Sequence, residues 1–208
     1  MTTSQISDRT SPDSTKIGEW LFRHRTALPI PVAAALLLTP AGGAAVSPIV
    51  VGAGVGLTAL GEAIRLWGVH HIGAISRTRT DRLGPLIDSG PFAIVRNPLY
   101  IGNIALWAGF ALTARLAWMA PLIVVLLGAE YHAIVRWEER LLQSRLGDAY
   151  REYTARVPRW MPRSHRRTPG ETSAVAFSWK ETLFSERGTL IAMALGYGLL
   201  WLKLKTGN

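Results

Sequence analysis

From Thr26 to Gly61 the chain carries no Asp, Glu, Lys or Arg. Two apolar runs start in this stretch. The first, Thr26 to Val46, contains Ala33-Ala-Ala-Leu-Leu-Leu38 and is interrupted by Thr39-Pro-Ala-Gly-Gly43. The second runs from Ile49 to about Val69. At roughly 1.5 Å per residue, each is about long enough to cross a hydrocarbon layer of about 30 Å. Together they predict a helical hairpin over 26–69 with an uncharged turn near Pro48. Charged residues make up 18% of the 208-residue chain and apolar ones 49%. The charged share lies below the roughly 25% of soluble domains, which argues against a soluble globular protein and against disorder. With no cysteine, disulfides, thiolate metal sites and cysteine nucleophiles are excluded.

The remaining chain divides by charge. Residues 1–25 are a polar tail ending in an amphipathic turn, Ile17 to Arg23. Residues 70–98 form a basic loop with Arg77, Arg79, Asp81, Arg82, Asp88 and Arg96, punctuated by Gly84-Pro85 and Gly90-Pro91. Leu99 to Ala114 and Leu116 to about Val135 read as a second hairpin around the lone Arg115. A basic helical extension follows and should stop near Val157-Pro158, because proline cannot continue the ladder. Residues 163–208 give a polar linker, an interfacial segment over 174–186, and a last apolar run, Thr189 to Leu202, whose Lys203 and Lys205 can snorkel. The expected fold is all-α: a membrane bundle of about five transmembrane helices with a cytoplasmic C-terminal helical region and basic connecting loops.

The net charge of +9 then reads as cytoplasmic loops facing anionic lipid headgroups rather than as nucleic-acid binding. Of the 23 Lys and Arg, Arg65 lies within a span. A cytoplasmic N-terminus leaves only Arg115, Lys203 and Lys205 outside. Residues 70–98 and the segment after 136 therefore share the cytoplasmic face, and so would any site built from them. In a bacterium the membrane would be the inner one.

Gly52, Gly54 and Gly56 do not have dinucleotide-loop spacing and follow no strand, so they read as small residues letting helices approach. His70 and His71 point about 100° apart on a helix and do not chelate one metal ion together. No metal site is expected.

Two segments are dense in chemistry. In the first, Gly90 to Asn103, Asn97 suits a helix N-cap and Pro98 the first helical position. Arg96 precedes a helix start with free N–H groups. Tyr100 follows, Gly102 leaves space beside the helix, and Asn103 is an amide one turn inside the apolar zone. In the second, Glu130 to Arg140, Glu138 meets only Ile134, Val135, Leu141 and Leu142 at helical contact spacing, so it has no intrahelical cation. Glu139 has only Arg136. Such a pair at the end of a membrane helix calls for a tertiary partner or a cationic ligand. Glu130 and His132, deeper in the span, are second-tier candidates.

These residues resemble the isoprenylcysteine carboxyl methyltransferase and phospholipid methyltransferase family, over roughly residues 83–162. Gly90-Pro91-Phe92, Val95-Arg96-Asn97-Pro98, Tyr100 and Gly102 match the family's first motif. Glu138-Glu139, Leu142, Gly147, Tyr150, Tyr153 and Val157-Pro158 match the second. The chain departs at Asn97, where the family usually has histidine; a hydrogen-bonding role can survive there, a proton-handling one does not. The resemblance implies an integral-membrane enzyme that moves a methyl group from S-adenosyl-L-methionine to a lipophilic small molecule or lipid. It makes 99–162 the catalytic hairpin with its cytoplasmic helix. The catalytic candidates are Arg96, Glu138 and Glu139. Asn97, Pro98, Tyr100, Gly102, Asn103 and the two glutamates are the cofactor-binding candidates. Glu138 or Glu139 would take the cofactor's ammonium, and Arg96 or the helix N-terminus its carboxylate. The acceptor's headgroup, its methylated atom and the oligomeric state are left open. The alternatives are a nicotinamide-dependent membrane reductase of the sterol reductase type and a non-catalytic lipid-binding membrane protein.

Overall fold

Six α-helices and one 3-10 turn carry the computed structural model, which describes residues 12–41, 47–73, 86–162 and 178–206. The helices are α1 (Pro12–His24), α2 (Pro29–Leu38), α3 (Pro48–Ile72), α4 (Pro98–Thr113), α5 (Met119–Arg156) and α6 (Trp179–Thr206). No strand occurs among the described residues. Arg77, Arg79, Asp81, Arg82, Gly84-Pro85 and most of the polar linker lie outside them.

Helices α3 and α5 are long and apolar enough to cross a membrane. The pair formed by α1 from Lys16 and α2, bent by 57°, would make a third crossing if it acts as one broken span. Two to three spans are thus carried by length and composition. Among the described residues of the first apolar run, Pro29 to Leu38 is helical; a turn at 25–28 delays its start and Thr39-Pro40 ends it. Helix α4 is apolar but has only 16 residues, about 24 Å at ~1.5 Å per residue.

The expected 26–69 hairpin is not the main packing unit. Helix α3 packs along α4 instead, through crossings made of small residues. A Cβ on Gly61 would lie 2.5 Å from the Gly102 carbonyl oxygen, and one on Gly109 would lie 2.6 Å from that of Gly54. Close backbone approach is how membrane helices gain dispersion contacts when hydrophobic segregation between them is absent. Gly54 and Gly61 serve this role, while Gly52 and Gly56 face open space. Thr58, buried in the same seam, donates to the Gly54 carbonyl at 3.1 Å.

The second hairpin forms as expected, with Arg115 at φ 61° in its turn. Along α5, Met119, Ile123, Leu127, Tyr131 and Ile134 recur at helical spacing and meet Leu106, Phe110 and Leu116 in the main core. Leu122, Val124, Val125 and Leu126 point outward, giving the helix apolar residues on both sides, as a bilayer requires. The helix kinks at Gly147, whose φ of 54° favours glycine. It ends before Val157-Pro158, as the proline dictates. Beyond the kink, Tyr150, Tyr153 and Val157 build a second small core with Leu86, Leu142 and Leu146.

From Trp179 onward the expected interfacial segment and the last apolar run are one continuous helix, α6. Glu186 needs no break to reach water, because it is fully buried against Arg65 of α3. Lys203 does not snorkel. It is buried, and its Nζ donates to the carbonyls of Leu36 at 2.7 Å and Thr39 at 2.5 Å, at the open C-terminal end of α2.

Candidate active site

The two motifs meet where α4 begins and the apolar part of α5 ends. Backbone and side-chain bonds join residues 92–97 to the last turn of α5 and the chain just after it. The Arg96 N–H donates to the Pro158 carbonyl at 2.9 Å. The Asn97 side chain donates to the Arg159 carbonyl at 3.1 Å, and the Tyr153 hydroxyl donates to the Phe92 carbonyl at 2.9 Å. Asn97 occupies the N-cap position of α4, and Pro98 follows it in the first turn. Contrary to expectation, the Asn97 side chain makes no capping bond; its amide nitrogen ties the α4 start to the Arg159 carbonyl.

Arg96 and Glu139 face each other, with Nη1 to Oε1 at 2.8 Å. Arg159 closes on the same carboxylate with Nε to Oε1 at 3.0 Å and Nη2 to Oε2 at 2.5 Å. Glu139 thus bridges two guanidinium groups, and its hydrogen bonds raise the pKa of Arg159 above the ordinary arginine value. Arg159 was missed from the sequence. The available signal was its place directly after the matched Val157-Pro158, together with the shortage of cations around Glu139. Tyr150 lies close to Arg96. A cavity of about 590 Å³ opens here, lined among others by Arg96, Arg136, Glu139, Arg140, Tyr150 and Arg159. Four arginines against one glutamate make it strongly electropositive. The Arg96 Nε is buried and has no hydrogen-bond partner among the described residues.

Glu138 lies beside this cavity and not on its wall. Its Oε2 accepts from the Tyr100 hydroxyl at 3.0 Å, and among the described residues it forms no ion pair. The Tyr100 ring packs on Tyr131, with centroids 4.7 Å apart. The remaining candidates are placed differently from expectation. Gly102 leaves no open space: a Cβ there would meet the Gly61 carbonyl oxygen at 2.6 Å and Arg65 Cγ at 2.7 Å. Asn103 accepts from Arg65 Nη1 at 2.5 Å. Glu130 and His132 do not pair. His132 is exposed near Trp160, and Glu130 keeps one buried oxygen without a hydrogen-bond partner among the described residues. Two residues apart on a helix, they face different sides. Among the described residues no group of three or more His, Asp or Glu is placed to hold a metal ion.

The chain is similar to the cobalt-zinc-cadmium resistance protein CzcN of Cupriavidus metallidurans, at 30% identity over 119 residues, covering 57% of this chain and 51% of that protein. It is also similar to the nickel-cobalt-cadmium resistance protein NccN of Alcaligenes xylosoxydans xylosoxydans, at 28% identity over 99 residues, covering 48% of this chain and 43% of that protein. The chain thus spans about half the length of these relatives. No solved structure matches it significantly. Residues 49–149, a segment that holds Arg96, Glu138 and Glu139, match the phospholipid methyltransferase family.

Proposed function

We propose that the protein is an integral-membrane methyltransferase that uses S-adenosyl-L-methionine and acts on a lipophilic acceptor at the cytoplasmic face. The match of residues 49–149 to the phospholipid methyltransferase family supports the reaction class. The observation that carries the site is a 590 Å³ cavity lined by Arg96, whose buried Nε has no hydrogen-bond partner among the described residues. That volume lies within the ~300–1,000 Å³ range of small-molecule sites. An unpaired buried guanidinium N–H costs free energy unless a ligand satisfies it, and an amino-acid carboxylate suits it.

The cofactor, when bound, supplies a methyl group on a sulfonium that leaves as a neutral thioether. The residues bind, orient and exclude water. Arg96 takes the carboxylate, with Arg136 and Arg140 adding positive potential. Glu139 holds Arg96 and Arg159 in register, both of its oxygens being engaged. Glu138, with no ion pair among the described residues, takes the ammonium. Asn97 fixes the post-helix segment through Arg159. The arginine-rich wall favours an acceptor that presents an anion over one that presents a free amine. The full topology of this reading has five crossings, with α4 and α6 added to the two to three that length and composition carry, and with a cytoplasmic N-terminus.

Four arginines also suit the phosphates of a nicotinamide cofactor, which keeps the reductase as the second reading. The relatives' names concern metal resistance, a role for which the described residues offer no three-ligand cluster. Calorimetry on the detergent-purified protein separates the readings. Binding of S-adenosyl-L-methionine or its demethylated product is expected; binding of reduced nicotinamide cofactor with neither of these overturns the methyltransferase assignment. Incubating lipid extract with methyl-labelled cofactor then identifies the acceptor.

A further inference from the structure

A buried polar cluster lies away from the residues that line the cavity. Arg65, in the span α3, is 12% exposed and bonds side chains on its own helix and on two others. Its Nε donates to Glu62 Oε2 at 3.1 Å. Its Nη1 donates to Asn103 Oδ1 of α4 at 2.5 Å. Its Nη2 donates to Glu186 Oε2 at 2.7 Å and to Thr189 Oγ1 at 3.0 Å, both on α6. Glu62 and Glu186 are buried. Two carboxylates and one guanidinium inside a membrane bundle carry a large desolvation penalty, and apolar packing could join the same helices without it. The planar fork of arginine does what apolar packing cannot: it fixes the orientation of each group it grips.

The group next in line is Asn103. With Oδ1 held by Arg65, the Asn103 side chain also interacts with the Tyr131 hydroxyl. The Tyr131 ring packs on Tyr100 at 4.7 Å, and the Tyr100 hydroxyl donates to Glu138 at 3.0 Å. A continuous run of contacts leads from α6, which lies outside the family-matched residues 49–149, to the glutamate assigned to the cofactor.

We propose that Arg65 is a positioning residue of the methyl-transfer site, orienting Asn103 and, through Tyr131 and Tyr100, Glu138, so that α6 is a working part of the site. This rests on the methyltransferase reading above. It assigns Asn103 a supporting role behind the cofactor rather than contact with it.

The decisive variant is Asn103→Asp. It retains an acceptor for Arg65, so a purely structural cluster keeps its grip and full function. It replaces the amide that interacts with Tyr131 by a carboxylate, so a positioning role is lost. Affinity for the demethylated cofactor, methyl-transfer kcat and KM, and thermal melts are measured for wild type, Asn103→Asp, Tyr131→Phe and their double variant. Melts close to wild type, affinity at least tenfold weaker in each single variant, and no further loss in the double variant are expected, since coupled residues are non-additive. Glu186→Gln loosens the hold on Arg65 and is expected to weaken affinity at least threefold. Where Glu186→Gln fails to fold, Thr189→Val, which removes one of the bonds to Arg65, takes its place with the same expectation. Wild-type affinity in Asn103→Asp, or in the α6 variant, overturns the proposal while leaving the methyltransferase reading intact. Absence of cofactor binding by the wild-type protein overturns that reading, and this inference with it.

Discussion

Arg96 and Glu139 stand 43 positions apart in the chain and 2.8 Å apart in space. The α4–α5 hairpin makes the pair: α4 begins one residue after Asn97, and α5 returns to the same level before its charged extension. Arg159, placed by the turn at Val157-Pro158, completes a guanidinium–carboxylate–guanidinium bridge. The two adjacent glutamates therefore have different partners, and they should respond differently to the same substitution.

Glu138→Gln keeps the side-chain shape and an acceptor for the Tyr100 hydroxyl, and it removes the charge. Stability should change little. Affinity for the cofactor should fall about ten- to a hundredfold, since a hydrogen bond to a charged group contributes about 1.5–3 kcal/mol. Calorimetry beside a thermal melt reads both quantities, and unchanged affinity would remove Glu138 from the site.

Glu139→Gln should show the reverse weighting. It leaves Arg96 and Arg159 facing each other without the intervening charge. Both ion pairs are partly exposed, so the expected loss is about 1–2 kcal/mol rather than the larger cost of a fully buried pair. A melting temperature lowered by a few degrees, with weaker cofactor binding that high salt partly restores, is the expected pattern; salt would restore it by screening the repulsion between the two arginines.

Arg96→Lys retains the charge and loses the planar fork. One ammonium cannot serve Glu139 and a bound carboxylate in the directions a guanidinium does. Methyl transfer should fall at least tenfold with the fold intact. Initial rates with saturating acceptor measure it, and wild-type turnover would show that charge alone suffices at this position.

The α3–α4 seam can be tested without touching chemistry. A Cβ at Gly102 meets backbone at 2.6 Å, and backbone cannot give way as a flexible side chain can. Gly102→Ala should destabilise the protein by about 1–3 kcal/mol, the usual cost of overpacking. Gly52 faces open space, and Gly52→Ala should stabilise slightly, since alanine is the better helix former by about 1 kcal/mol. Thermal melts in one detergent compare the two. Equal effects would mean that the helices cross elsewhere.

Much of this architecture could be read from the linear order of residues. A stretch without charge from Thr26 to Gly61 points to a membrane class, because apolar runs of that length suit a hydrocarbon layer. Pro98 starts α4 and Pro158 follows the end of α5, because proline lacks an N–H and a helix-compatible predecessor. The isolation of Glu138 from any cation at helical spacing was visible as well, since contacts within a helix depend only on sequence separation. What the sequence could not decide was which helix meets which. Gly61 against Gly102, Glu186 and Asn103 on Arg65, Lys203 on the end of α2, and Arg159 on Glu139 are contacts between residues distant in the chain. Each depends on the crossing and rotation of whole helices, and no local spacing encodes these. For the same reason Gly102 and Asn103, which looked from the sequence like parts of a ligand site, are held by α3: their neighbours are set by the fold of the bundle, not by their place beside Asn97 and Tyr100.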